Sequence, residues 1–139
     1  MTISTLVDTN IFIDVLLPEQ LRGGWSARHL EVCFHAGEIA INPIIWSELA
    51  SPVRDQAGLE GALAWLKPRR EQIPWDAAFL AGLAHARYRR SGGTRDRTLP
   101  DFLIGAHAQV AGHRLLTRDA TRYRSYFPDL DIIAPDTHP

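Results

Sequence analysis

The sequence predicts a single α/β domain, residues 1–139, with a central parallel sheet covered by helices on both faces. Three observations carry that expectation. Short apolar runs recur between helix-length segments along the whole chain, the alternation that builds parallel sheets. A chain of 139 residues is one compact domain with room for a real core, and no repeat, low-complexity tract or linker divides it. Acidic residues also stand where strands end or helices begin, the edge at which α/β sheets bind ligands.

The elements follow in order. Residues 3–7 read as a buried strand, and Asn10 to Leu17 as a helix stopped by Pro18. After a loop with Gly23 and Gly24, Ser26 can cap a helix that runs to Ala36 and stops at Gly37. Glu38 to Asn42 reads as a strand, and Pro43 suits the first turn of the next helix, which carries Glu48. A helix is expected over Leu59 to Leu66, and a short edge strand at Gln72-Ile73-Pro74, since proline excludes a central one. Asp76 can cap a long helix ending near Gly92-Gly93, followed by a polar, mobile loop over 91–100. Asp101 opens a helix to Ala111 with Gly112 as its stop. Gly105, Ala106 and Ala108 would let that helix pack closely on the sheet. Arg114 to Thr117 and Asp131 to Ala134 complete the strands.

Composition narrows the class. Forty-five per cent of residues are hydrophobic and 22% charged, ordinary for a soluble globular protein. No apolar run approaches a membrane span, and Met1 to Ser4 lacks the basic start of a secretory signal, so no membrane association is expected. The single cysteine, Cys33, forbids an internal disulfide, fits a cytoplasmic location and reads as a small buried hydrophobe. A net charge of −1 makes no global case for nucleic acid, but Arg87, Arg89, Arg90, Arg95 and Arg97 cluster around Tyr88. Guanidinium forks match phosphates, so this is a candidate phosphate-contacting stripe; the alternative is a solvated helix face.

Asp8, Glu48, Asp101 and Asp119 are the chemical centre of the sequence. Asp8 ends the first strand, Asp119 follows Leu115-Leu116-Thr117-Arg118, and Asp101 begins a helix. Glu48 lies about one and a half turns into its own helix. Each has a plain reading as a cap, a turn residue or a solvent-facing helical glutamate. If they converge, their mutual repulsion calls for a hard divalent cation with oxygen ligands, Mg²⁺ or Mn²⁺. Other chemistries lack their residues: there is no phosphate-binding glycine loop, no His or Cys pairing for zinc, and Lys67 stands away from every acidic position. His107 reads as packed or solvated rather than catalytic.

The order Asp8-Thr9-Asn10, a helical Glu48, Pro100-Asp101-Phe102-Leu103-Ile104-Gly105-Ala106 and Leu115-Leu116-Thr117-Arg118-Asp119 resembles the PIN-domain family, and within it the VapC-type toxins. The resemblance runs from Val7 to about Ile133. It implies a metal-dependent endoribonuclease with Asp8, Glu48, Asp101 and Asp119 as catalytic, Mg²⁺- or Mn²⁺-binding carboxylates, Asp8 and Asp119 binding directly. Asn10 and Thr117 fall at the family's supporting polar positions, and Asp96 has no counterpart. It further implies an RNA substrate, a cognate antitoxin and a homodimer. Two other classes remain open: a PIN-like RNA-binding or partner-regulated module without hydrolysis, and a metal-dependent phosphatase.

Overall fold

The computed structural model describes residues 2–17, 23–94 and 97–139. Five parallel strands, β1 (Ser4–Val7), β2 (Glu38–Ile41), β3 (Arg69–Arg70), β4 (Arg114–Leu116) and β5 (Ile132–Ile133), form one sheet in the order β3-β2-β1-β4-β5. Successive strand residues face opposite sides of a sheet. Leu6 and Val7, Ile39 to Ile41, and Leu115 and Leu116 are all buried, so helices cover both faces.

The connecting helices are α1 (Thr9–Leu16), α2 (Gly23–Ala36), α3 (Pro43–Val53), α4 (Gln56–Leu63), α5 (Trp75–Arg90), α6 (Leu99–Ala111) and α7 (Thr121–Arg124). α5 lies along α6, while α1 packs on α2 and α3. Cys33 is buried in this core. Among the described residues no helix is long and apolar enough to cross a membrane.

The expected elements are present, with shifted ends. Leu17 is extended because a residue before proline avoids the helical region. Gly23 and Gly24 open α2 instead of preceding it. Ser26 therefore lies inside the helix, where its hydroxyl donates to the buried Asp14 at 2.6 Å. α4 starts three residues early and ends in a 3₁₀ turn over Ala64–Leu66. The edge strand is Arg69–Arg70, not Gln72–Pro74. There Arg69 pairs with Glu38 and with Glu71, polar contacts that the proline-containing segment could not supply. Pro74, not Asp76, occupies the N-cap position of α5, and Asp76 lies in its first turn. α6 begins at Leu99, placing Asp101 in its first turn. Arg95 and Asp96, in the loop expected to be mobile, lie outside the described residues.

Candidate active site

β2 lies on one side of β1 and β4 on the other, so the chain reverses direction across the sheet between β1 and β4. That reversal opens a crevice at the carboxyl ends of the two strands. Asp8 follows β1 there and Thr117 follows β4, tied by the Asp8 backbone N–H donating to Leu116 at 2.9 Å. Asp8 is the N-cap of α1 and only 5% exposed. Its Oδ1 accepts from the Thr9 N–H at 2.7 Å. Its Oδ2 accepts from the Tyr123 hydroxyl at 2.7 Å, the Thr117 hydroxyl at 2.8 Å and Asn10 Nδ2 at 3.3 Å. Burial pushes its pKa up to about 6; the Tyr123 and Thr117 bonds oppose the rise and the charge of Asp101 adds to it.

From Asp8 the other carboxylates connect in one chain of contacts. Thr117 Oγ1 accepts from the Asp119 N–H at 3.1 Å, fixing the turn that carries Asp119. Asp119 Oδ2 accepts from Arg122 Nε at 2.8 Å, and Arg122 Nη1 reaches Asp101 Oδ1 at 3.4 Å. Asp101 is buried, and its Oδ2 accepts from the N–H of Thr98 at 3.0 Å, which locks the carboxylate over the first turn of α6. Glu48 is exposed on α3, and its Oε1 accepts from the Thr9 hydroxyl at 2.8 Å. All four expected positions thus share one edge, together with Asn10 and Thr117. Asn10 also accepts the Arg118 N–H at 3.1 Å, joining α1 to the segment after β4.

Tyr123 and Arg122 have no signal in the sequence. Tyr123 is fully buried, and its phenol pKa is held well above the usual value by burial and by Asp8. Arg122, three residues after Asp119, reads as a local helix pair, and nothing in the sequence points to its bond with Asp101. Gly105 is close-packed as expected, but against rings rather than the sheet: a Cβ there would lie 2.6 Å from Phe127 and 3.0 Å from Tyr123.

Among the described residues the clustered arginines face more than one side of α5. On an α-helix Arg89 points roughly 200° away from Arg87. Arg87 stands over the Tyr126 ring at 5.6 Å, and Arg97 over Tyr88 at 5.6 Å. Arg97, Tyr88 and Tyr126 line an open cleft of about 740 Å³ that also contains Asp119 and Arg122. Arg89 and Arg97 line an adjoining groove.

A second polar cluster lies farther along α6. His107 Nε2 and His113 Nε2 approach Glu71 Oε1 at 3.1 and 2.6 Å, a grouping that their wide sequence spacing hid. Asn42 Oδ1 is committed to the Ile45 N–H as the cap of α3, so its amide NH₂ faces His107 Nδ1 at 2.9 Å. That nitrogen accepts, and Nε2 therefore carries the proton that it donates to Glu71. A metal ligand needs the nitrogen bare. The trio is a hydrogen-bonded knot, and of the two expected states of His107, packed or solvated, the structure shows it packed.

The acidic edge differs in chemistry: its donors are all carboxylate oxygens, the type that a hard divalent ion takes. Asp8, Asp101, Asp119 and Glu48 offer carboxylate oxygens. Burial and then Asp101 raise the Asp8 carboxyl, and a guanidinium bridges Asp101 and Asp119.

No curated protein sequence matches the chain. Solved structures of similar fold include VapBC2 from Rickettsia felis bound to a promoter DNA fragment, with 19% identity, TM-score 0.74 and coverage of 95% of this chain and 98% of that one. A toxin–antitoxin complex from Klebsiella pneumoniae has 25% identity, TM-score 0.69 and coverage of 94% and 97%. Mycobacterium tuberculosis VapC20, a sarcin–ricin loop cleaving toxin, has 17% identity, TM-score 0.57 and coverage of 79% and 85%. The PIN-domain profile matches residues 5–127. That span takes in every element that builds the acidic edge, and the chain belongs to the PIN-domain family.

Proposed function

We propose that this chain is a divalent-metal-dependent endoribonuclease and the toxin of a type II toxin–antitoxin pair. The observation that carries the reading is the joining of Asp8, Asp119, Asp101 and Glu48 through Thr117, Arg122 and Thr9 at the β1/β4 crevice. Mg²⁺ or Mn²⁺ held by Asp8, Asp101 and Asp119, with Glu48 at the rim, would supply water activation and charge neutralisation at an RNA phosphate. Thr117 and Asn10 orient Asp8, and Tyr123 holds it from beneath and excludes water from that side. Arg97 and Arg89 lie along grooves leading from the edge, placed to contact the phosphates of the flanking strand.

The toxin assignment draws support from the similar structures, which include complexes of a toxin with its antitoxin. We extend it to a homodimer and a cognate antitoxin. Trp75, Phe79 and Leu83 recur every fourth residue on one face of α5 and are 92%, 72% and 54% exposed, an apolar stripe suited to a protein partner. The test is cleavage of structured RNA against turnover of a chromogenic phosphate ester, each with Mn²⁺ and with chelator. Metal-dependent RNA cleavage alone supports the reading. Ester turnover alone would make the chain a phosphatase, and RNA binding without cleavage a binding module.

A further inference from the structure

We propose that Arg122 is the internal counter-cation of the acidic edge, and that a divalent ion must displace it from Asp101 and Asp119 to bind there. The inference deepens the metal reading given above and rests on it. Arg122 bridges two of the carboxylates that would hold the ion, with Nε at 2.8 Å from Asp119 Oδ2 and Nη1 at 3.4 Å from Asp101 Oδ1. Its head lies at the rim: the side chain is 44% exposed, whereas that of Asp101 is 10% exposed.

The two halves of this residue are held very differently. Its backbone is pinned by the neighbouring Tyr123, which is fully buried and bonded to Asp8. Its side chain lines the open cleft of about 740 Å³ beside Thr121, Ser125 and Tyr126, which gives the guanidinium a place to go without any movement of the fold. A half-exposed ion pair holds weakly, whereas a dication among several carboxylates is held by all of them at once. Arg122 therefore quiets the repulsion among the carboxylates until metal arrives, and it sets the metal concentration at which the edge loads. The charges of Asp101 and Asp119 outweigh partial burial and raise its own pKa, so the cation persists at any physiological pH.

The decisive measurement is Mn²⁺ affinity, by calorimetric titration of wild type, Arg122→Ala and Arg122→Lys at low and high salt, with Mn²⁺-induced thermal shifts alongside. Removing a positive charge from beside a dication should tighten Mn²⁺ binding about tenfold at low salt, and less as salt screens the site. The metal-free Arg122→Ala protein should melt lower than wild type, and its thermal shift on adding Mn²⁺ should be larger. Arg122→Lys keeps the charge but loses the planar fork, so it should tighten binding about threefold. If Arg122→Ala does not fold, the lysine variant decides the matter. Unchanged or weaker affinity in the variants would overturn the proposal and make Arg122 a residue that positions the ligands. Failure of Mn²⁺ to bind both wild type and variants would remove the metal reading itself, and the proposal with it.

Discussion

The first turn of α6 and the polar knot farther along it are opposites in charge balance. At the first turn, Arg122 bridges Asp101 and Asp119, while Asp8 and Glu48 join the same edge through Thr117 and Thr9. His107 lies six residues on, about 9 Å along the helix axis. There one carboxylate, Glu71, accepts from His107 and His113 at one oxygen and from Arg69 at the other, 3.0 Å away. The knot has more donors than its acceptor requires, so its task is complete: it fastens α6 and β4 to the segment after β3. The edge sets four carboxylates against one bridging guanidinium, the imbalance on which the proposed metal site rests. Buried polar residues alone do not mark a functional site; an unmet charge balance does.

The largest effects should follow from breaking the edge. Asp8→Asn should lower Mn²⁺-dependent RNA cleavage by on the order of a thousandfold or more, measured as single-turnover rate, while the fold persists. Its stability signature has a definite sign. A carboxyl raised to about 6 in the folded protein binds a proton that the unfolded chain, with a value near 3.8, has already lost. Metal-free wild type should therefore lose stability as pH rises from about 4 to about 6, by at most on the order of 3 kcal/mol at 1.36 kcal/mol per pH unit. Asp8→Asn should not show that loss. Urea unfolding of both proteins in chelator across this range reads the difference directly, and parallel curves would refute it.

Breaking the knot should give the reverse pattern. Glu71→Gln leaves two buried imidazoles and Arg69 facing an amide and should cost about 2 kcal/mol. Mn²⁺ affinity and RNA cleavage well below the melting temperature should be unchanged. Burial raises the Glu71 carboxyl, but His113 and then Arg69 outweigh it and hold the value below the ordinary one. Its contribution is thus present above the usual carboxylate range and lost as pH falls below it, so the stability gap between wild type and variant should close in acid. A variant that loses metal binding would show that the two clusters are coupled.

Gly105→Ala tests the link between packing and the edge. Alanine favours a helix interior over glycine by about 1 kcal/mol, yet its Cβ would press on Phe127 and Tyr123. The net expectation is a loss of about 1–2 kcal/mol and a several-fold fall in cleavage rate, because Tyr123 holds Asp8. A gain in stability would mean that the rings yield freely.

The smallest effects belong to the arginines. Replacing Arg89 and Arg97 by Ala should raise KM for RNA and reduce the salt slope of binding by up to about two, one for each phosphate contact. Single-turnover cleavage at saturating RNA should barely change. Arg87→Ala should do less, since its guanidinium stands over Tyr126.

The strand and helix order was legible in the residues alone, because apolar runs of strand length separated by helical segments leave few other solutions. The same reading singled out the four carboxylates as candidates. Asp8, Asp101 and Asp119 sit beside a strand end or helix start, a local property, whereas Glu48, inside its helix, stood out through the order of the motifs. Boundaries such as Arg69–Arg70 in place of Gln72–Pro74 depended on which edge backbone and side chains found partners, a tertiary matter. Arg122 bridging Asp101, Tyr123 beneath Asp8 and Glu71 between two histidines were likewise decided only by the folded chain. Their partners lie 21, 115, 36 and 42 residues away, and no local periodicity encodes a contact across such separations. The tertiary structure therefore decided which charges are answered and which are left in need, because burial and distance, not residue type, set the energy of a charge.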